Sequence, residues 1–291
     1  MKELVIISGK GGTGKTSLAA SFAALAQNKV LADCDVDAAD LHLILAPNIQ
    51  HREDFYGGKK AFINQDKCTE CGKCLEVCRF EAISADFVVD PISCEGCGVC
   101  VYFCPVQAID FNENRSGERF ISETRFGPMV HARLGVAEEN SGKLVTLVRR
   151  QARLIAEKYG KELIIVDGAP GVGCPVIASI TGADAVLVVT EPTLSGVHDL
   201  ERVVSLAAGH FNIKTFVCVN KYDLNLAMTD RIEAYCRDKA IYFAGRIPYD
   251  DVVTEAMIHG KSVVEYSAGR TVEAIKKIWE SMLELIHKPQ S

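Results

Sequence analysis

Residues 9–16 read Gly9-Lys10-Gly11-Gly12-Thr13-Gly14-Lys15-Thr16 and decide the fold expected for the chain. They fit the pattern G-x₄-G-K-[ST], with an apolar run before them and an Ala-rich run, residues 17–26, after them. A strand, a glycine-rich loop and a helix in this order form a phosphate-binding loop, because backbone N–H groups and the helix N-terminus face phosphate oxygens. We expect Gly9 to Ser17 to bind a nucleotide, with Lys15 on the β- and γ-phosphates and Thr16 on Mg²⁺.

The sequence beyond this loop alternates between apolar runs and amphipathic stretches. We expect strands at residues 3–8, 29–34, 162–167, 184–190, 213–219 and 241–247, and helices at about 16–26, 144–159, 196–208, 227–239 and 271–287. This alternation predicts an α/β fold with a mostly parallel sheet and helices on both faces. A hairpin is expected over residues 120–134, and the last helix is expected to close the core.

The composition is that of a soluble globular protein. Of the 291 residues, 48% are apolar and 24% are charged, and the net charge of −6 argues against general nucleic-acid binding. No apolar run approaches the roughly 18 residues of a membrane span, and the N-terminal run is too short for a signal peptide. We expect a cytoplasmic protein without a stable membrane anchor, in which twelve cysteines indicate metal binding rather than disulfides.

Eight of the twelve cysteines form two runs with the spacing C-x₂-C-x₂-C-x₃-C. In such a run three thiolates hold three corners of one [4Fe–4S] cube, and the fourth reaches the other cube. A zinc site would leave four thiols unused. The spacing therefore indicates two clusters, one on Cys68, Cys71, Cys74 and Cys104, the other on Cys94, Cys97, Cys100 and Cys78.

The two runs resemble bacterial two-cluster ferredoxins over residues 58–112, although Arg79 follows the first run where the ferredoxin pattern has proline. The resemblance implies a small α+β ferredoxin-like domain at 58–112, inserted into a P-loop ATPase domain made of residues 1–57 and 113–291. Residues 115–143 come next, and the sequence leaves open whether they relay changes between clusters and nucleotide or form a plain β-return.

Lys10, a second lysine within the loop, resembles the deviant Walker A motif of the MinD/ParA/Mrp ATPases and of the nitrogenase iron protein. The resemblance implies a homodimer that forms on ATP binding, in which the loop lysine reaches the phosphates of the other subunit. A solvated loop lysine is the alternative.

The resemblance continues at the ends of four other strands. It implies that Asp35 orients the attacking water, and that Asp33 and Asp167 support the Mg²⁺ shell. At the adenine end it implies that Asn220 reads the base edge and that the segment at Pro248 lines it. An Asn at a strand end also caps turns, which is the other reading of Asn220.

These features predict a Mg²⁺-dependent ATPase in which Lys10, Lys15 and Asp35 are catalytic and nucleotide state is coupled to electron transfer through two [4Fe–4S] clusters. The alternative is an ATPase that assembles or carries iron–sulfur or other metal clusters. The partner would be a redox protein or a cluster-accepting protein, and the charge disfavours a positioning ATPase on a membrane or nucleoid. Cys174 resembles a cluster-ligating cysteine of the nitrogenase iron protein, and a packing role is the alternative.

Overall fold

The computed structural model describes residues 1–135 and 141–286. The strands are β1 (Lys2–Ser8), β2 (Lys29–Asp33), β3 (Asn48–Ile63), β4 (Ile109–Thr124), β5 (Gly127–Leu134), β6 (Leu163–Pro170), β7 (Ala185–Thr190), β8 (Lys214–Asn220) and β9 (Tyr242–Ile247). The α-helices are α1 (Lys15–Leu25), α2 (Leu41–Leu45), α3 (Lys73–Val77), α4 (Val99–Phe103), α5 (Ser141–Lys158), α6 (Cys174–Ile180), α7 (Leu194–Val204), α8 (Leu226–Asp238), α9 (Val252–Ile258), α10 (Val263–Tyr266) and α11 (Arg270–Ile286). A π-helical turn, Ser205–His210, continues α7.

The strands lie in the order β3-β4-β5-β2-β6-β1-β7-β8-β9. Strand β1 pairs in parallel with β6 and β7, β2 with β5 and β6, and β8 with β7 and β9. The expected α/β fold with a mostly parallel sheet is confirmed. Residues 4–7 of β1 are completely buried, because a central parallel strand is covered by helices on both faces.

The described chain forms two compact units. The larger unit comprises residues 1–52, residues 119–133 and the chain from Ser141 onward. In it, the Phe22 ring of α1 lies 4.8 Å from the Trp279 ring of α11, and Trp279 is buried. The last helix thus closes the core, as the sequence predicts; position 287 of the expected helix lies outside the described residues.

The smaller unit comprises Glu53–Glu118 and a short segment that begins at Leu134. It contains α3, α4 and parts of β3 and β4. Its core has five buried members: Ala61, Cys74, Ile83, Cys100 and Ile109. The unit extends beyond the predicted insert, residues 58–112, at both ends because β3 and β4 continue past those positions.

Two strands differ from the sequence prediction. The hairpin of residues 120–134 is present as the end of β4 followed by β5, but β4 begins as early as Ile109. The sequence patterns predict no strand where β3 lies. Residues 48–54 of β3 are exposed, so they lack the alternation of apolar and polar side chains that marks a half-buried strand.

Candidate nucleotide site and cysteine-lined cavities

The glycine-rich loop lies between the end of β1 at Ser8 and the start of α1 at Lys15. Gly12 and Gly14 have φ angles of 79° and 89°, in the left-handed region that favours glycine. A Cβ atom at Gly14 would also collide with the side-chain amide of Asn220. The residue types of the loop are therefore set by its backbone path and by this close approach.

Lys15 joins the loop to two buried carboxylates at neighbouring strand ends. Its Nζ atom donates to Asp167 Oδ1 at 2.8 Å and to Asp35 Oδ2 at 3.1 Å, and the Lys15 side chain is 6% exposed. Burial alone would lower the pKa of Lys15, but the charges of Asp167 and Asp35 outweigh it and raise the pKa. Burial raises the pKa of Asp35, which the charge of Lys15 opposes. Lys15 is therefore a fixed cation at this edge of the sheet.

Asp33 lies beside this group because β2 and β6 pair with Asp33 opposite Asp167. Burial, with the charge of Asp167, raises the pKa of Asp33 well above its usual range. Among the described residues, Asp33 Oδ2, Asp167 Oδ2 and Thr13 Oγ1 are buried without a hydrogen-bond partner. Carboxylate and hydroxyl oxygens without partners are the ligand type that a hard divalent cation such as Mg²⁺ prefers, although the three carboxylates around Lys15 are not arranged to hold one ion together.

One open cavity of about 490 Å³ unites most of the predicted nucleotide-binding residues. It is lined by residues 11–17 and Asp35 on one side and by Asn220 and Pro248 on the other. The amide of Asn220 donates to the Thr13 carbonyl at 2.8 Å, and its Oδ1 accepts from the backbone N–H of Lys221 at 3.0 Å. Asn220 thus holds the loop and caps its own strand end here, and its contact with a base stays a prediction.

Lys10 is not among the residues that line that cavity. Its Nζ atom lies 3.2 Å from Glu191 Oε2, and Lys221 Nζ donates to Glu191 Oε1 at 2.6 Å. Burial opposes ionisation of Glu191, but the hydrogen bonds from Lys221 and Lys10 lower its pKa overall. The sequence interpretation did not single out Glu191, although this carboxylate directly follows β7, at the edge of the sheet where Asp33 and Asp167 also lie.

In the smaller unit, the eight cysteines of the two runs divide between two cavities. Cysteines from both runs line each cavity. The first is lined by Cys68, Cys71, Cys74 and Cys104; the second is lined by Cys78, Cys94, Cys97 and Cys100. These are the two sets of four that the spacing predicts, so the fourth cysteine of each run lies with the first three of the other run.

The two cavities are built by one backbone design used twice. Every position of the first run has its counterpart 26 residues later, as Cys68 has Cys94. Helix α3 begins after Gly72 and α4 after Gly98, both with left-handed φ angles of 76° and 72°. Left-handed φ angles recur at three pairs of positions in all: Glu70 and Gly96, Gly72 and Gly98, and Glu81 and Gln107.

The sulfur atoms of each set surround a cavity rather than converge on one point. Within residues 1–135 and 141–286, no group of three or more His, Cys, Asp or Glu side chains could hold a single metal ion. Burial, opposed by backbone hydrogen bonds and assisted by the neighbouring cysteines of the same cavity, raises the pKa of the Cys74 and Cys100 thiols. A [4Fe–4S] cube binds one thiolate at each of its four iron corners, whereas a single metal ion needs its ligands to converge on one point.

A sequence profile of the CobQ/CobB/MinD/ParA nucleotide binding domain matches residues 4–263. The chain belongs to this family. Among curated members of similar sequence, the uncharacterized protein MJ0578 of Methanocaldococcus jannaschii is 36% identical over 289 residues, covering 98% of this chain and 97% of that protein. The septum site-determining protein MinD of Bacillus subtilis is 25% identical over 171 residues, 57% of this chain and 63% of MinD.

The fold is also that of solved family structures. The septum site-determining protein MinD from Pyrococcus horikoshii, complexed with Mg-ADP, superposes with a TM-score of 0.61 over 98% of this chain and 97% of that chain, at 16% identity. At 16% identity, this match shows that the two chains share a fold. None of the described helices combines the length and the apolar composition that a membrane crossing requires.

Proposed function

We propose that this member of the CobQ/CobB/MinD/ParA family binds and hydrolyses ATP and couples its nucleotide state to electron transfer through two [4Fe–4S] clusters. The observation that carries the proposal is the division of eight cysteines into two sets of four, each around its own cavity, in a chain that also has a nucleotide-binding loop. Family membership supports the nucleotide part, and the cysteine geometry supports the redox part.

For the nucleotide, the backbone N–H groups of residues 11–14 would donate hydrogen bonds to the phosphate oxygens, and Lys15 would leave its carboxylate partners for the β- and γ-phosphates. Thr16, Asp33 and Asp167 would hold Mg²⁺, which supplies positive charge for the phosphoryl oxygens. Asp35 would orient the attacking water. Lys10 of the partner subunit would meet the charge that develops on the γ-phosphate in a homodimer.

For the clusters, each cavity contributes the thiolates that one cube requires: Cys68, Cys71, Cys74 and Cys104 in one, and Cys78, Cys94, Cys97 and Cys100 in the other. A bound [4Fe–4S] cluster supplies one-electron transfer. The chain itself contributes ligand geometry and partial exclusion of water, since Cys74 and Cys100 are each 9% exposed.

Iron analysis of the anaerobically purified chain tests the cluster part. We expect about eight iron atoms and about eight sulfides per chain, because two cubes contain that number. Cys78→Ser should damage the cluster held mainly by the second run, and EPR of the reduced protein should show which signal is lost. The control is Cys236→Ala, at a cysteine of α8 in the larger unit, which should leave the iron content unchanged. About four iron atoms, or zinc in their place, would contradict the proposal.

A redox titration then tests the coupling. The cluster potentials are measured without nucleotide, with ADP and with a non-hydrolysable ATP analogue. A nucleotide-dependent shift, or nucleotide-dependent binding of a redox partner, is expected. Transfer of intact clusters to an apoprotein, with no electron transfer in any nucleotide state, would instead favour the assembly or carrier function.

A further inference from the structure

The internal repeat of the smaller unit has a difference on its surface. Helices α3 and α4 occupy matching positions, and Lys73 and Val99 each line the cavity of their own repeat. On α3 the exposed side chains are charged: Lys73 Nζ donates to Glu76 Oε2 at 2.8 Å. On α4 the same two positions are Val99 and Tyr102. At these two positions, matching backbones therefore carry different surface chemistry, charged on α3 and apolar or aromatic on α4.

The apolar surface of α4 is built from side chains at helical spacing. Val99, Tyr102, Phe103 and Val106, the α4 aromatic face, are 39%, 84%, 47% and 42% exposed. The rings of Tyr102 and Phe103 contact each other edge to face at 5.2 Å between centroids. Residues three and four apart share one side of a helix, so Val99, Tyr102 and Phe103 form a continuous surface. Exposed aromatic patches of this kind mark interaction sites.

This face is shared by both cysteine-lined cavities. Val99 belongs to the lining of the cavity with Cys100, and Val106 to the lining of the cavity with Cys104. A protein that covers the α4 aromatic face would therefore contact the walls of both cavities.

The charge around the face indicates what covers it. Residues 53–118 contain twelve Asp and Glu but only six Lys and Arg, a net charge of −6 that equals the charge of the whole chain. The rest of the chain is balanced. Thiolate-ligated clusters would add further negative charge. Two copies of this unit would repel each other face to face, whereas a basic surface would be attracted and steered into contact.

We propose that the α4 aromatic face is the docking site for an electron-transfer protein that presents basic residues around an apolar centre. This inference rests on the proposed redox function. On contact, one electron passes from a reduced cluster of this chain to the oxidised centre of the partner, and no bond is made or broken. Small, transient interfaces are typical of such encounters.

The test replaces the face of α4 with that of α3. The double variant Val99→Lys with Tyr102→Glu introduces the ion pair that α3 carries at the same positions, so the helix geometry tolerates it. It leaves the net charge unchanged, so long-range attraction is preserved. The matched control, Lys73→Ala with Glu76→Ala, also keeps the net charge and alters the equivalent surface of α3.

The probe is a basic c-type cytochrome, whose exposed haem edge is surrounded by lysines. Calorimetry of the oxidised, cluster-loaded chain with oxidised cytochrome measures the Kd without any turnover. We expect the Val99→Lys, Tyr102→Glu variant to weaken binding about tenfold or more and the α3 control to change it less than twofold. Equal binding by the variant and the wild type, or equal weakening by the control, would overturn the proposal.

Stopped-flow oxidation of the dithionite-reduced chain gives the second readout. In the single variant Tyr102→Ser, at a position outside both cavity linings, reduction of the cytochrome should slow in parallel with the Kd, whereas reduction of hexaamminecobalt(III), which needs no docking, should keep its rate. Iron analysis separates this proposal from the proposed function: a chain without iron contradicts the proposed function, whereas a cluster-loaded variant that binds the cytochrome as tightly as the wild type contradicts only the docking face. Loss of self-association in the variant, seen by sedimentation, would show that a second copy covers the face instead.

Discussion

The two units of the chain differ in the residues that form their buried cores. The larger unit buries long apolar strands such as residues 4–7 of β1, together with aromatic contacts such as Phe22 against Trp279. The core of the smaller unit has five buried members, and two of them are Cys74 and Cys100. A core of that size contributes little burial energy by itself, and small domains commonly depend on bound metal for stability. We therefore predict that the larger unit folds on its hydrophobic core, whereas the smaller unit depends on a metal group bound by its cysteines.

Removal of iron should give the largest difference between the units. After anaerobic chelation, the smaller unit should lose its protection against proteolysis, with cuts between residues 53 and 118, because metal binding energy in such sites is folding energy. The larger unit should still bind an ATP analogue with unchanged Kd by calorimetry. Cys218→Ser, at a buried cysteine of β8, is the control and should leave iron content unchanged. An iron-free chain that stays fully protected would show that the small core suffices.

Lys15→Met should give the next largest effect, confined to the larger unit. The variant leaves Asp35 and Asp167 buried without their cation and removes a charge-assisted contact to phosphate. We expect ATP binding to weaken about a hundredfold and the free energy of unfolding to fall by about 3 kcal/mol. Calorimetry measures the affinity for ATP. Urea unfolding followed by tryptophan fluorescence measures the free energy of unfolding of this unit, because the single tryptophan, Trp279, lies in it. Unchanged nucleotide affinity would exclude Lys15 from the phosphate site.

Lys10→Ala should separate hydrolysis from binding. Lys10 is 36% exposed at its side chain, and its partner Glu191 keeps Lys221 when Lys10 is lost, so the folded monomer should bind ATP within a fewfold of the wild type. Hydrolysis should be abolished, while the iron content of the smaller unit stays the same. The assay is phosphate release at saturating ATP.

A mixture of two inactive chains tests whether Lys10 acts on the other subunit. A Lys10→Ala chain keeps Asp35 and would receive Lys10 from an Asp35→Ala chain, so heterodimers should recover hydrolysis at one of two sites. Dimer formation is verified by differently tagged chains. If heterodimers are present and stay inactive, Lys10 works within its own chain or not at all.

The sequence predicts some parts of this molecule much better than others. Six strands, five of them buried, and the loop at Gly14 follow from local patterns, since apolar runs and glycine spacing act over a few residues. The grouping of Cys104 with the first run also follows from spacing, although the clusters themselves stay a prediction. The ion pair between Lys10 and Glu191 does not follow, because those residues are 181 positions apart and meet only through the order of strands. Strand β3 has no local signal, since most of its side chains are exposed.

Acid pH should give the smallest effect, and again only in the larger unit. His131 on β5 is buried, and its Nε2 lies 2.8 Å from Ser122 Oγ. Burial, with the nearby His42, lowers the pKa of His131 from 6.5 to about 4. The unfolded chain therefore takes up this proton first as the pH falls, and the stability present above pH 6.5 is lost towards pH 4. Between pH 7.5 and pH 5.5 the loss should be about 1 kcal/mol for this group.

Residues 53–118 contain no histidine, so the smaller unit lacks this dependence in the same pH window. Urea unfolding followed by Trp279 fluorescence should show the slope in the wild type and in His198→Gln, an exposed control, and a flatter slope in His131→Gln. An equal slope in His131→Gln would mean that the buried imidazole does not set the acid sensitivity of the larger unit.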